Sequence, residues 1–155
     1  PQDFVAYGNN NVGKNNVQVY TDEGAGFNEA SSYFLEEKYD AGGYLEVSIP
    51  LDGKTKKLRI DPYMDYCITE IHEISFNGEL LDLNDNKRIY INGKKLRSED
   101  GVSAVFYYSD PNIVVELGDK VRSTGNLLRV RMTTTTVPEN IIRSIKKELM
   151  KKIRF

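Results

Sequence analysis

The 155-residue chain has no tryptophan, one cysteine, one histidine and five prolines. Each scarcity narrows what it can do. Cys67 alone forms no internal disulfide, and its neighbours Tyr66 and Ile68 mark it as a buried strand thiol rather than a nucleophile. His72 alone excludes a multi-histidine zinc site, and it has the opposite parity to Cys67 on one strand, which disfavours a Cys–His couple. No apolar run approaches the ~18 residues of a membrane-spanning helix. A Gly-x-Ser-x-Gly elbow, a phosphate loop and a dinucleotide fingerprint are also missing. The 23 acidic residues make chance carboxylate pairs unavoidable, and none stands out as a glycoside-hydrolase pair. A catalytic role for this domain is therefore not expected.

The net charge of −2 conceals an asymmetry. From Arg143 onward six basic residues face Glu148 alone, whereas the remainder carries 15 basic against 22 acidic side chains. A body of that sign repels phosphates, so nucleic acid is not an expected partner.

Residues 1–15 are rich in Asn and Gly and read as a linker or flexible arm, and the start Pro1-Gln2-Asp3-Phe4 suggests a piece of a longer chain. Short alternating strands then recur: 16–21, 44–49, 56–61, 66–76, 88–91, 104–109, 113–117 and 127–133. Residues 29–42 are ambiguous. Asp52-Gly53 and Asn77-Gly78 are hairpin signals. Between Ile71 and Ile74 the apolar parity slips, which predicts a β-bulge near His72. Strands of this number without βαβ alternation predict a mainly β fold, an antiparallel, jelly-roll-like β-sandwich over 16–136.

The period changes at the end. Pro138 suits a first helical turn with Thr136 as a nearby cap, and Ile141, Ile142, Ile145, Leu149 and Ile153 recur at helical spacing. A C-terminal amphipathic α-helix is expected within 137–155, its apolar stripe packed on the body. Lys146, Lys147, Lys151 and Lys152 make it a candidate for contact with a partner domain or an anionic membrane surface.

Tyr20 to Glu29 is the most distinctive stretch. Gly24 and Gly26 suggest positive φ in a tight corner that brings Phe27 onto the core. The alternative is a carboxylate-lined loop: Asp22, Glu23 and Glu29 are oxygen donors suited to sugar hydroxyls, and Asp22 and Glu29 to calcium, although the spacing is not that of an EF-hand. Tyr63, Tyr66 and the pair Tyr107-Tyr108 are candidate sugar platforms, with one of the last two expected in the core. Arg59 and Asp61 share a face and can pair, while Pro62 ends their strand.

The string Val19-Tyr20-Thr21-Asp22-Glu23-Gly24-Ala25-Gly26-Phe27-Asn28-Glu29, with Lys57-Leu58-Arg59-Ile60-Asp61-Pro62 and Ile71-His72-Glu73-Ile74-Ser75-Phe76-Asn77-Gly78, resembles an accessory domain of bacterial cell-surface polysaccharide glycosyltransferases. The resemblance runs from about Val17 to Ile74, more loosely to Met132. It implies a non-catalytic β-sandwich beside a transferase domain, cytoplasmic at the inner face of the membrane, with a glycan or the transferase domain as partner. The alternatives are a structural or protein-interaction domain and, last, a glycoside hydrolase.

Overall fold

The computed structural model describes residues 16–98 and 101–153, with the side chains of Leu149, Lys152 and Ile153 outside the description. The Asn- and Gly-rich arm of residues 1–15 also lies outside the described residues.

Among the described residues eleven strands form two antiparallel sheets, the β-sandwich expected from the sequence. A five-stranded sheet has the order β2–β1–β4–β10–β7: β1 is Asn16–Asp22, β2 Ser32–Lys38, β4 Lys57–Asp61, β7 Ile89–Ile91 and β10 Ile113–Glu116. A six-stranded sheet has the order β3–β11–β5–β9–β8, with β6 beside β5. Here β3 is Tyr44–Leu51, β5 Cys67–Phe76, β6 Glu79–Leu80, β8 Lys94–Ser98, β9 Gly101–Phe106 and β11 Asn126–Thr136. Strict alternation drives the layering. Val17 and Val19, Leu58 and Ile60, and Ile113 and Val115 are all buried from one sheet, and β3 and β11 alternate in the same way from the other.

The bulge in β5 falls where the parity slips. Opposite β11, Ile71 faces Met132 and Glu73 faces Arg131, so His72 is the extra residue and Ile71 and Ile74 both reach the core. His72 Nε2 lies 2.8 Å from Thr133 Oγ1. Asn77-Gly78 turns β5 into β6 with φ of 52° and 83°, the paired positive values of a tight hairpin.

Asp52-Gly53 does not make the expected hairpin. β3 lies in one sheet and β4 in the other, so the turn crosses the sandwich. Asp52 Oδ1 holds it by accepting from the amides of Lys54 at 2.8 Å and Thr55 at 3.1 Å. The ambiguous residues 29–42 contain a 3-10 turn, Glu29–Ser31, and the edge strand β2.

A chain of hydroxyls crosses the core. Tyr39 OH donates to the Pro62 carbonyl at 2.8 Å and accepts from Thr134 Oγ1 at 2.9 Å, which lies 2.9 Å from Thr69 Oγ1. Cys67 is fully buried, and burial pushes its thiol up to about 12, in line with an inert role.

Helix α1, Glu139–Ile153, begins after Pro138, whose carbonyl accepts from the amides of Ile141 and Ile142. Thr136 does not cap it. It is the last ladder residue of β11, opposite Cys67. Of the stripe's described side chains, Ile142 is 1% exposed and Ile145 is half-buried, whereas Ile141 is 47% exposed, and Met150 off the stripe is 54% exposed. Lys146 Nζ lies 5.6 Å from the Tyr66 ring centroid and 5.2 Å from that of Tyr108, a cation–π clasp midway along the helix. Among the described residues no helix is long and apolar enough to cross a membrane.

Candidate functional site

Because Val17, Val19, Leu58 and Ile60 point inward, their strand neighbours form the outer face of the five-stranded sheet. Register then sets the rows. Phe34, Gln18 and Asp61 lie side by side across β2, β1 and β4. The next row runs Ser32, Tyr20, Arg59, Val114, Tyr90 across all five strands. At about 4.8 Å per strand this row spans roughly 19 Å.

A polar network fills the middle. Arg59 Nε and Nη2 each donate to Asp61 at 2.7 Å, a two-pronged pair on one strand face. The guanidinium carbon stands 4.2 Å above the centre of the Tyr20 ring. Tyr20 OH donates to Glu29 Oε1 at 2.8 Å, and Gln18 Nε2 donates to Glu29 Oε2 and Ser32 Oγ at 3.3 Å each. Burial, reinforced by the Glu29 hydrogen bond, raises the Tyr20 phenol to about 12, so it remains a donor. Burial also raises Asp61 against the opposing pull of Arg59. Phe34 and Tyr90 flank the network, 46% and 60% exposed. The centre is thus a hydrogen-bonded platform with fixed polar groups, and each end carries an exposed aromatic ring.

The predicted residues fall in different places. Asp22 is buried at the end of β1, with Oδ1 accepting from the amides of Gly24 at 2.7 Å and Gly26 at 2.8 Å. These bonds hold its carboxyl below the usual range. Gly24 and Gly26 have φ of 129° and 93°, the positive values expected of the corner. Phe27 is only half-buried and does not join the core, because the loop closes on Asp22 instead. Glu29 belongs to the platform through Tyr20 and Gln18. Glu23 lies away from it, lining an open depression of roughly 540 Å³ with Asp52, Gly53, Lys54 and Ser123. Among the described residues no group of three or more His, Cys, Asp or Glu could hold a metal ion.

Tyr63 is 3% exposed and lies in the core cluster, so it is no sugar platform: Pro62 and Tyr63, which open the β4–β5 connection, are both buried. Tyr66 is half-buried beside Lys146. β9 stops at Phe106, and that residue takes the core position expected of Tyr107 or Tyr108. The two tyrosine rings lie 4.6 Å apart just beyond the strand. Lys147 and Lys151 are exposed on α1, and the Lys152 side chain lies outside the described residues.

The residues that build the platform, Gln18, Tyr20, Phe34 and Tyr90, were not among the sequence candidates. Their signal was parity alone: Gln18 and Tyr20 alternate with Val17 and Val19, and the fold supplies their neighbours. No family model, curated protein or solved structure matches the chain.

Proposed function

We propose that the domain is a non-catalytic glycan-binding module whose binding surface is the outer face of the five-stranded sheet. The observation that carries this reading is the Tyr20–Arg59–Asp61–Glu29 network flanked by exposed Phe34 and Tyr90. Aromatic rings offer flat apolar surfaces to sugar C–H groups, and fixed amides, hydroxyls and carboxylates read sugar hydroxyls. The resemblance over Val17–Ile74 adds a setting: an accessory module in a larger bacterial glycosyltransferase of cell-surface polysaccharide synthesis, in the cytoplasm at the inner face of the membrane. There the module holds the growing glycan, or orients the transferase domain toward it.

The test is a titration of isotopically labelled protein with bacterial surface oligosaccharides, followed by backbone amide shifts with and without calcium. Saturating shifts clustered on β1, β4 and Tyr90 are expected, and Phe34→Ala with Tyr90→Ala is expected to weaken binding at least about tenfold. Absence of any saturable shift at this face overturns the proposal. A second reading, an interaction module, is favoured by α1, which exposes Ile141 and Met150 beside its lysines to a neighbouring domain or an anionic membrane.

A further inference from the structure

We infer that the outer face of the five-stranded sheet selects neutral or amino-bearing sugars and turns away uronic acids and other acidic glycans. This inference rests on the glycan-binding reading of the face. Its basis is how Arg59, Lys57 and Arg88 are already used, with Lys38 left at the β2 edge. Arg59 spends Nε and Nη2 on Asp61 and lays its plane over Tyr20, and Asp110 waits 3.9 Å from the same Nη2. Lys57, which faces outward beside Asp22 and Glu116, lies 3.7 Å from the Glu116 carboxylate. At the β7 end of the sheet, Arg88 is held by Asp119 at 2.7 Å.

The carboxylates are less fully matched. Glu29 accepts from the neutral groups of Tyr20 and Gln18, and the Asp110 side chain is 76% exposed. A ligand on this face therefore meets acceptors and negative charge. A sugar hydroxyl can donate to Glu29 or Asp110, and a sugar ammonium gains Coulombic attraction as well. An acidic sugar meets like charge at both. To take the Nε and Nη2 prongs of Arg59 it must strip Asp61, a residue only 8% exposed, of its two-pronged partner, which leaves it the Nη1 edge at most.

The experiment compares three probes on the full chain by amide shifts: chitosan oligomers, cello-oligosaccharides and oligogalacturonates, each at low and high salt. The expected result is at least about tenfold weaker binding of oligogalacturonate than of chitosan oligomer at low salt. That gap narrows as salt screens the face, and it narrows again in Asp110→Asn. Oligogalacturonate binding the face as tightly as the other two overturns the selectivity and leaves the glycan-binding reading standing. No saturable shift with any of the three removes that reading, and the inference with it.

Discussion

Asp22 illustrates how one side chain can fix a loop. Its carboxylate gathers two amide donors, and both come from glycines in a backbone conformation that other residues rarely adopt. The same bonds make its contribution to stability dependent on pH. The folded pKa lies below the ordinary 3.8, so the stabilisation is present above that value and is lost as pH falls through the folded pKa. Asp22→Asn keeps the shape but weakens charge-assisted bonds. We expect it to be less stable than wild type by about 1 kcal/mol near neutral pH, with the gap closing in acid as pH falls through the lowered folded pKa. Urea unfolding of both proteins across that range checks it; a gap that persists unchanged in acid rules the account out. Asp61 has the opposite sign. Its folded pKa is raised, so its own titration favours folding in acid and disfavours it as pH rises through the folded value.

Among the elements, β5 is the most informative, because its central bulge was visible in the parity of its apolar residues. With His72 unpaired by the register, Ile71 and Ile74 both face the core. His72→Ala removes one half-buried hydrogen bond and is expected to cost about 1 kcal/mol. Deleting His72 removes only the extra residue, so Ile71 and Ile74 keep their inward faces and their partners Met132 and Val130 in one regular ladder. A loss no larger than that of His72→Ala is therefore expected, measured by the urea midpoint of the two variants. A loss several times larger would show that the fold needs the bend of the bulge as well as the parity of the strand. Strands with both neighbours paired were readable for the same reason: burial on one face forces alternation. The edge strand β2 was not. With Tyr33 and Phe34 both exposed and Leu35 buried, it has no clean period. Asp52-Gly53 misled for a different reason. Local residues specify a reversal of the chain, but which sheet receives the next strand is decided by core packing far away in sequence.

For the molecule as a whole, the same division explains which parts of the platform were legible. The Arg59–Asp61 pair follows from parity within one strand. Phe34 and Tyr90 lie on opposite sides of three intervening strands, and only the strand order brings them onto one face. Helix α1 was legible as a helix, yet the extent of its docking was not, because an apolar stripe specifies a covered face without naming the cover. Among its described side chains Ile142 is buried, Ile145 is half-buried, Lys146 lies against Tyr66 and Tyr108, and Ile141 and Met150 are exposed. The core of the sandwich is closed by the two sheets, so the helix should be removable. A chain ending at Val137 forfeits the burial of Ile142, worth about 2 kcal/mol, and is expected to unfold in one cooperative transition about 5–10 °C lower. Its β-sheet amide shifts should match those of the full chain away from Tyr66 and Tyr108. Failure of the shortened chain to fold would mean that the helix completes the core. An unchanged melting temperature would mean that even Ile142 contributes little, which would leave the whole helix available to whatever it meets outside this domain.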